Sequence, residues 1–281
     1  MAGEVARSKQ SRTLAEKALA RLIAQLDDSS PITIIGGLVP STLTTQSPVP
    51  HQGTIDVDLL LELGPAFDRD ELDFGWLETA LAHAGFDSLS DDGGWQWQIS
   101  VDGSPVILEF ICDVPDNPGL SISLPGTTRV KALNFAGPSP AAYGTSAIEI
   151  SLGDGASVIA WFAGLGGYLL AKATAVASRR FEKDFYDFAF VILHNDLGGP
   201  ESAGRAAADA IPTAPLHNFE DIVRQAIAEY VDSGSEGPQG YVRSSIAAGN
   251  MTPAEILAQD AVTAVQRFGD AFSKVTGIES W

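Results

Sequence analysis

Residues 53–62 read GTIDVDLLLE, and within them Asp56 and Asp58 stand one residue apart in a run otherwise apolar enough for a buried strand. Side chains two apart on a strand point the same way, about 7 Å apart along the chain, so the two carboxylates share one face while Ile55, Val57 and Leu59 share the other. Like charges at that spacing repel unless a cation lies between them, and Mg²⁺, a hard and oxygen-seeking ion, suits that position. Further on, the stretch VILEFICD places Glu109 and Asp113 on one face of a second strand, with Phe110 and Cys112 on the other. If the two strands are neighbours, three or four carboxylates converge, enough for one or two ions that activate an attacking hydroxyl and steady a leaving phosphate.

Two other features fit phosphate chemistry. The strand-like run ITIIGG ends in Gly36 and Gly37, which let backbone N–H groups approach an anion, and Ser41, Thr42, Thr44 and Thr45 follow as hydroxyl donors. Lys172, Arg179, Arg180 and Lys183 gather within about three helical turns, whereas Arg69 is the only cation from Leu22 to Thr128. Lys172 and Arg179 are seven apart and share a helical face, with Asp184 and Asp187 just beyond, so the cluster is a candidate triphosphate grip. The plainer alternatives are a turn at the glycines, surface ion pairs at the cations and helix-start acids at the aspartates. His51, His83, His194 and His217 are scattered without ligand spacing, and His51 reads as a loop residue. Trp95 and Trp97 share a strand face and read as core.

These residues need elements to hold them. Leu14, Ala18, Leu19, Leu22, Ile23 and Leu26 recur at helical spacing in an opening helix from Thr13 to Leu26, and Asp70 to Ala84 is helix-like. WQWQISV and SPVILEFIC flank Asp102-Gly103, a strong hairpin signal, and SISL, ALNF and AIEISL read as further strands. Past Gly155 the chain reads as helices, SVIAWFAGLGGYLLAKATAVASRR, DFYDFAFVILHN, NFEDIVRQAIAEYV and TPAEILAQDAVTAVQRFGDAF. The expected fold is therefore α+β, with an α+β domain over 1–154, its mixed sheet flanked by helices, and a mainly helical domain over 155–281.

The bulk properties bound the partners. With 281 residues, 45% hydrophobic and 19% charged, the chain can bury a sizeable core. No apolar run is long enough to span a bilayer and the N-terminus lacks a signal-peptide core, so a cytoplasmic protein with no membrane partner is expected. The single cysteine, Cys112, excludes an intramolecular disulfide and a multi-cysteine zinc site. A formal charge of -19 repels polyanions, so DNA is not expected, and an RNA partner would need a local basic patch.

Taken in order, the Gly pair, GTIDVDLLLEL, the carboxylate in VILEFICD and the segment KATAVASRRFEKDFYDF resemble the AbiEii/AbiGii-type nucleotidyltransferase toxins, within the polymerase-β-like superfamily, over roughly residues 31–195. The resemblance implies a polymerase-β-like N-terminal domain and transfer of a nucleoside monophosphate from an NTP to an acceptor hydroxyl. Gly36 and Gly37 would hold phosphates, with Ser41, Thr42, Arg179 and Arg180 as further nucleotide contacts. Asp56, Asp58 and Glu109, with Asp113 in reserve, would bind Mg²⁺ or Mn²⁺. Lys172 would contact the triphosphate, and Asp184 or Asp187 would orient it or complete the site. Some members act on tRNA 3′ ends beside a separately encoded antitoxin. The alternatives are the same fold acting on a small molecule or protein, and a non-catalytic binding member.

Overall fold

The computed structural model describes residues 9–27, 30–63, 69–153, 155–211 and 216–277. The chain divides into two compact units, Met1–Leu38 with Gln52–Phe162, and Val39–His51 with Ala163–Trp281. The division thus falls after Phe162, later than residue 154. Among the described residues no helix is long and apolar enough to cross a membrane.

The first unit opens with helix α1 (Lys9–Ile23), whose Leu14, Ala18, Leu19 and Leu22 are buried at helical spacing. Strand β1 (Ile32–Ile35) follows, and the chain then passes through the second unit, including the short helix α2 (Pro40–Leu43), before returning as β2 (Asp56–Leu61). Next come α3 (Gly75–Ala84), β3 (Asp87–Ser88), β4 (Gln96–Val101), β5 (Ser104–Cys112), β6 (Ser121–Ser123), β7 (Lys131–Asn134), β8 (Ser146–Ser151) and β9 (Ser157–Phe162). They form one mixed sheet in the order β3-β4-β5-β2-β1-β9-β8, with β7 beside the end of β5 and β6 beside β7. The β4–β5 hairpin turns at Asp102 (φ 52°) and Gly103 (φ 80°), the left-handed pair that an Asp-Gly dipeptide supplies.

One face of this sheet is the core. Val57 and Leu59 on β2 and Leu108 and Phe110 on β5 are fully buried, and α1 lies across β5, β9 and β8 and against α3. Each such side chain contributes about 1.5–3 kcal/mol of transfer free energy. The pleat turns the intervening residues to the opposite face, which includes Asp56, Asp58 and Glu109.

The second unit holds α4 (Leu165–Ser178), α5 (Glu182–His194), α6 (Pro200–Asp209), α7 (Phe219–Ala228), α8 (Glu236–Ala247) and α9 (Ala254–Thr276). α5 packs against α8 and α9, while Ala203, Gly204 and Ala207 let α6 lie close on α9. Segment 39–51 is tied into this unit at two points. The Asp196 carboxylate accepts hydrogen bonds from Thr45 N (3.0 Å), Thr45 Oγ1 (2.7 Å) and Gln46 N (3.0 Å), and His51 pairs with Asp187.

Two expectations are corrected. Residues 157–162 are the strand β9, not the start of a helix, because the β-branched and aromatic residues Val158, Ile159, Trp161 and Phe162 extend the sheet and the helix begins only after Gly164. Over 70–84 the helix proper starts at Gly75, after a 3₁₀ turn at Arg69–Glu71.

Candidate functional site

β2 and β5 are parallel neighbours, and their register sets Asp58 directly opposite Glu109 and Asp56 opposite Ile107. Asp56, Asp58 and Glu109 therefore share one face, above the buried Leu60, Ile111 and Ile35. The shared face expected from the sequence is present for these three. On the far side of β5, Gln96 of β4 faces Glu109 in the antiparallel register and donates Nε2–H to Glu109 Oε1 at 2.8 Å.

The cluster is electrostatically strained. Burial, then the Asp58 carboxylate beside it, push the Glu109 carboxyl up to about 7, with a smaller push from Asp56. Asp58 and Glu109 share a hydrogen bond, so one proton relieves the repulsion between them. Among the described residues, no group of three or more His, Cys, Asp or Glu side chains is placed so that it could hold a metal ion. Asp58 and Glu109 close on each other instead. Carboxylate oxygens are the donor type that a hard divalent cation takes, and a cation there would displace the proton.

The glycines at the end of β1 have a clear physical role. Gly36 has φ +70°, and a Cβ there would overlap the Asp58 carboxylate, so only glycine lets the backbone lie against that side chain. A Cβ on Gly37 would come within 2.7 Å of the Thr54 side chain. Thr54 closes a local turn, exchanging hydrogen bonds of 3.2 Å between its Oγ1 and the backbone of Asp56.

Asp113 and Thr42 each bond backbone groups of their own unit. Asp113 is beyond the end of β5, buried, and its Oδ2 accepts the N–H groups of Gly137 and Ser139 at 3.0 Å each. It clasps a loop and does not join Glu109, because strand alternation stops at Cys112. Ser41 and Thr42 sit in α2, in the other unit from the glycines, and Thr42 Oγ1 donates to Val39 O at 2.8 Å. Cys112 is buried and its thiol is pushed up to about 12 by burial, which makes it an inert core residue.

In the second unit Lys172, Asp184, Asp187 and Arg179 do come together, as one ion network in which the first three are buried and Arg179 is exposed. Lys172 Nζ is 3.1 Å from Asp184 Oδ1 and 2.8 Å from Asp187 Oδ2. Arg179 holds Asp184 with two bonds, Nε to Oδ2 at 2.8 Å and an amino group to Oδ1 at 3.1 Å. Burial alone would lower the Lys172 pKa, yet Asp187 and Asp184 hold it above the ordinary lysine value. Burial would raise Asp184, but Lys172 and Arg179 bring it below the usual carboxylate range. The Lys172 side chain is 9% exposed, so the ammonium expected to meet a triphosphate faces two carboxylates here. Arg180 pairs with Glu229 at 2.6 Å.

His51, a loop residue by its sequence, completes the network. Its Nε2 lies 2.9 Å from Asp187 Oδ1, and its ring stacks on Tyr186 at 5.1 Å. No sequence signal marks it, since 136 residues separate the pair.

No protein-family model matches this chain, and comparison with curated proteins and with solved structures likewise finds no match.

Proposed function

We propose that the first unit carries a divalent-metal-dependent nucleotidyltransferase site, formed by Asp56, Asp58 and Glu109 and bordered by Gly36 and Gly37. The observation that carries this reading is the register of β2 and β5, which sets Asp58 opposite Glu109 on the face shared with Asp56. A run of chance acids on a strand would not be expected to place a half-buried, proton-holding glutamate opposite one of them.

Mg²⁺ or Mn²⁺ held by these three carboxylates would supply charge for phosphate oxygens and acidify an acceptor hydroxyl. The chain's own residues do the rest. Asp56 and Asp58 offer oxygens from one strand face, Glu109 binds or releases a proton at its carboxyl, and Gly36 keeps the backbone close to Asp58. The order of these residues and the likeness to the AbiEii/AbiGii toxins support an NTP as donor, with a tRNA 3′ end as acceptor and a separate antitoxin as partner.

A small-molecule or protein acceptor is the second reading, and the charge favours it. At -19 overall, with Lys172, Arg179, Arg180 and Arg69 all engaged by acidic side chains, the protein offers little to a polyanion. Calorimetry with each NTP and Mg²⁺ tests the site itself. Binding by the wild type and at least tenfold weaker binding by Asp56→Asn/Asp58→Asn is expected; equal binding by both would refute the location.

A further inference from the structure

We propose that Gln96 is a positioning residue for the metal site, holding the Glu109 carboxylate so that its second oxygen is turned toward Asp58. This role rests on the metal-site reading of Asp56, Asp58 and Glu109. Gln96 and Glu109 are directly opposed across the β4–β5 ladder, and the amide Nε2–H meets Glu109 Oε1 at 2.8 Å. A carboxylate with one oxygen fixed by a neutral donor loses rotational freedom without losing its charge, which is what a ligating carboxylate needs from the groups around it.

Gln96 is itself held firmly. Its carbonyl accepts Leu89 N at 3.1 Å, and the carbonyl of the preceding Trp95 accepts Phe110 N at 2.8 Å. Just upstream, Gly94 N donates to Arg129 O at 2.9 Å and Lys131 N donates to Gly94 O at 3.1 Å, which ties the start of β4 to the strand segment around Val130. On the opposite face of β4, Trp97 is buried, with its Nε1–H bonded to Gly94 O at 3.0 Å. The amide is thus anchored on a rigid strand and not on a loop. Gln98, two residues on and facing the same way, is exposed and opposite Ile107, so it serves as a positional control.

The test uses Mn²⁺ as the probe. Mn²⁺ binding is followed by electron paramagnetic resonance, and the metal-free melting temperature by differential scanning calorimetry. Four proteins are compared: wild type, Gln96→Met, Gln98→Met and Asp58→Asn. Methionine is close to glutamine in length but cannot donate. The expected result is a 10–100-fold weaker Mn²⁺ dissociation constant for Gln96→Met with an unshifted metal-free melting temperature, and wild-type affinity for Gln98→Met. Wild-type affinity in Gln96→Met, with Asp58→Asn defective, overturns the role of Gln96 and leaves the metal site standing. Wild-type affinity in Asp58→Asn, or no Mn²⁺ binding by the wild type, removes the site and the role together.

Discussion

Asp58 and Glu109 stand opposite each other on parallel strands and share a hydrogen bond, although both are acids and Glu109 is half-buried. A folded protein that keeps such a pair carries a cost that a bound cation would offset. The cost is measurable.

In metal-free protein the Glu109 carboxyl, at about 7, binds its proton more tightly folded than unfolded, where the ordinary value is 4.5. Its contribution to stability is therefore fully present below about pH 4.5 and is lost as pH rises through 7, by up to roughly 3 kcal/mol. Glu109→Gln abolishes that slope. Urea titrations of both proteins between pH 4.5 and 8 are expected to show the wild type losing ground to Glu109→Gln as pH rises; a constant difference would contradict the placement of Glu109.

Gly36→Ala puts a methyl group into the Asp58 carboxylate at a φ of +70°. Gly85→Ala also has a positive φ, +83°, but open space around it. The Gly85 variant is expected to lose only about 1–2 kcal/mol from backbone strain, while the Gly36 variant is expected also to displace Asp58 and, under the proposed metal site, to bind metal more weakly than wild type. Chemical denaturation and metal titration of the two side by side separate strain from displacement.

Lys172→Met leaves Asp184 and Asp187 buried without their ammonium. Removing one partner of a buried ion network costs about 3–5 kcal/mol, whereas Arg180→Ala, which breaks the exposed pair with Glu229, is expected to cost less than about 1 kcal/mol. Denaturation midpoints measure both, and a Lys172→Met protein as stable as wild type would show that the network does not hold the helical unit.

His51→Ala removes both the 2.9 Å contact to Asp187 and the stacking on Tyr186, while His51→Gln retains a polar group for Asp187. The alanine variant is expected to lose about 1–3 kcal/mol and glutamine to recover part of it, read from thermal denaturation.

Much of the sheet unit was legible because its signals are local. Asp102-Gly103 specifies its own turn, and alternation along β2 and β5 fixes which acids share a face. That Asp58 meets Glu109 depends on strand order, which alternation does not encode, and Asp113 was misplaced because nothing local shows that β5 ends at Cys112. β9 hid within an apolar run whose continuation is helical, where periodicity alone does not separate strand from helix. α6, whose buried face is Ala203, Gly204, Ala207 and Ala208 with no large apolar residue, and α8, with Gly and Pro in its first turns, lack the large apolar residues or the uninterrupted pattern that marks a helix. In the helical unit the spacing of Lys172 and Arg179 correctly put both cations on one face. That both meet Asp184, Lys172 from within and Arg179 from the exposed side, is set by packing between α4 and α5.

The most direct measurement is transfer of label from each α-³²P NTP, with Mg²⁺, to total tRNA, to protein and to a small-molecule extract. Wild-type protein is expected to label one acceptor class, with Asp58→Asn and Glu109→Gln each reduced at least about 100-fold. Equal labelling by wild type and Asp58→Asn, or no transfer from any NTP by the wild type, would contradict a nucleotidyltransferase site on this face.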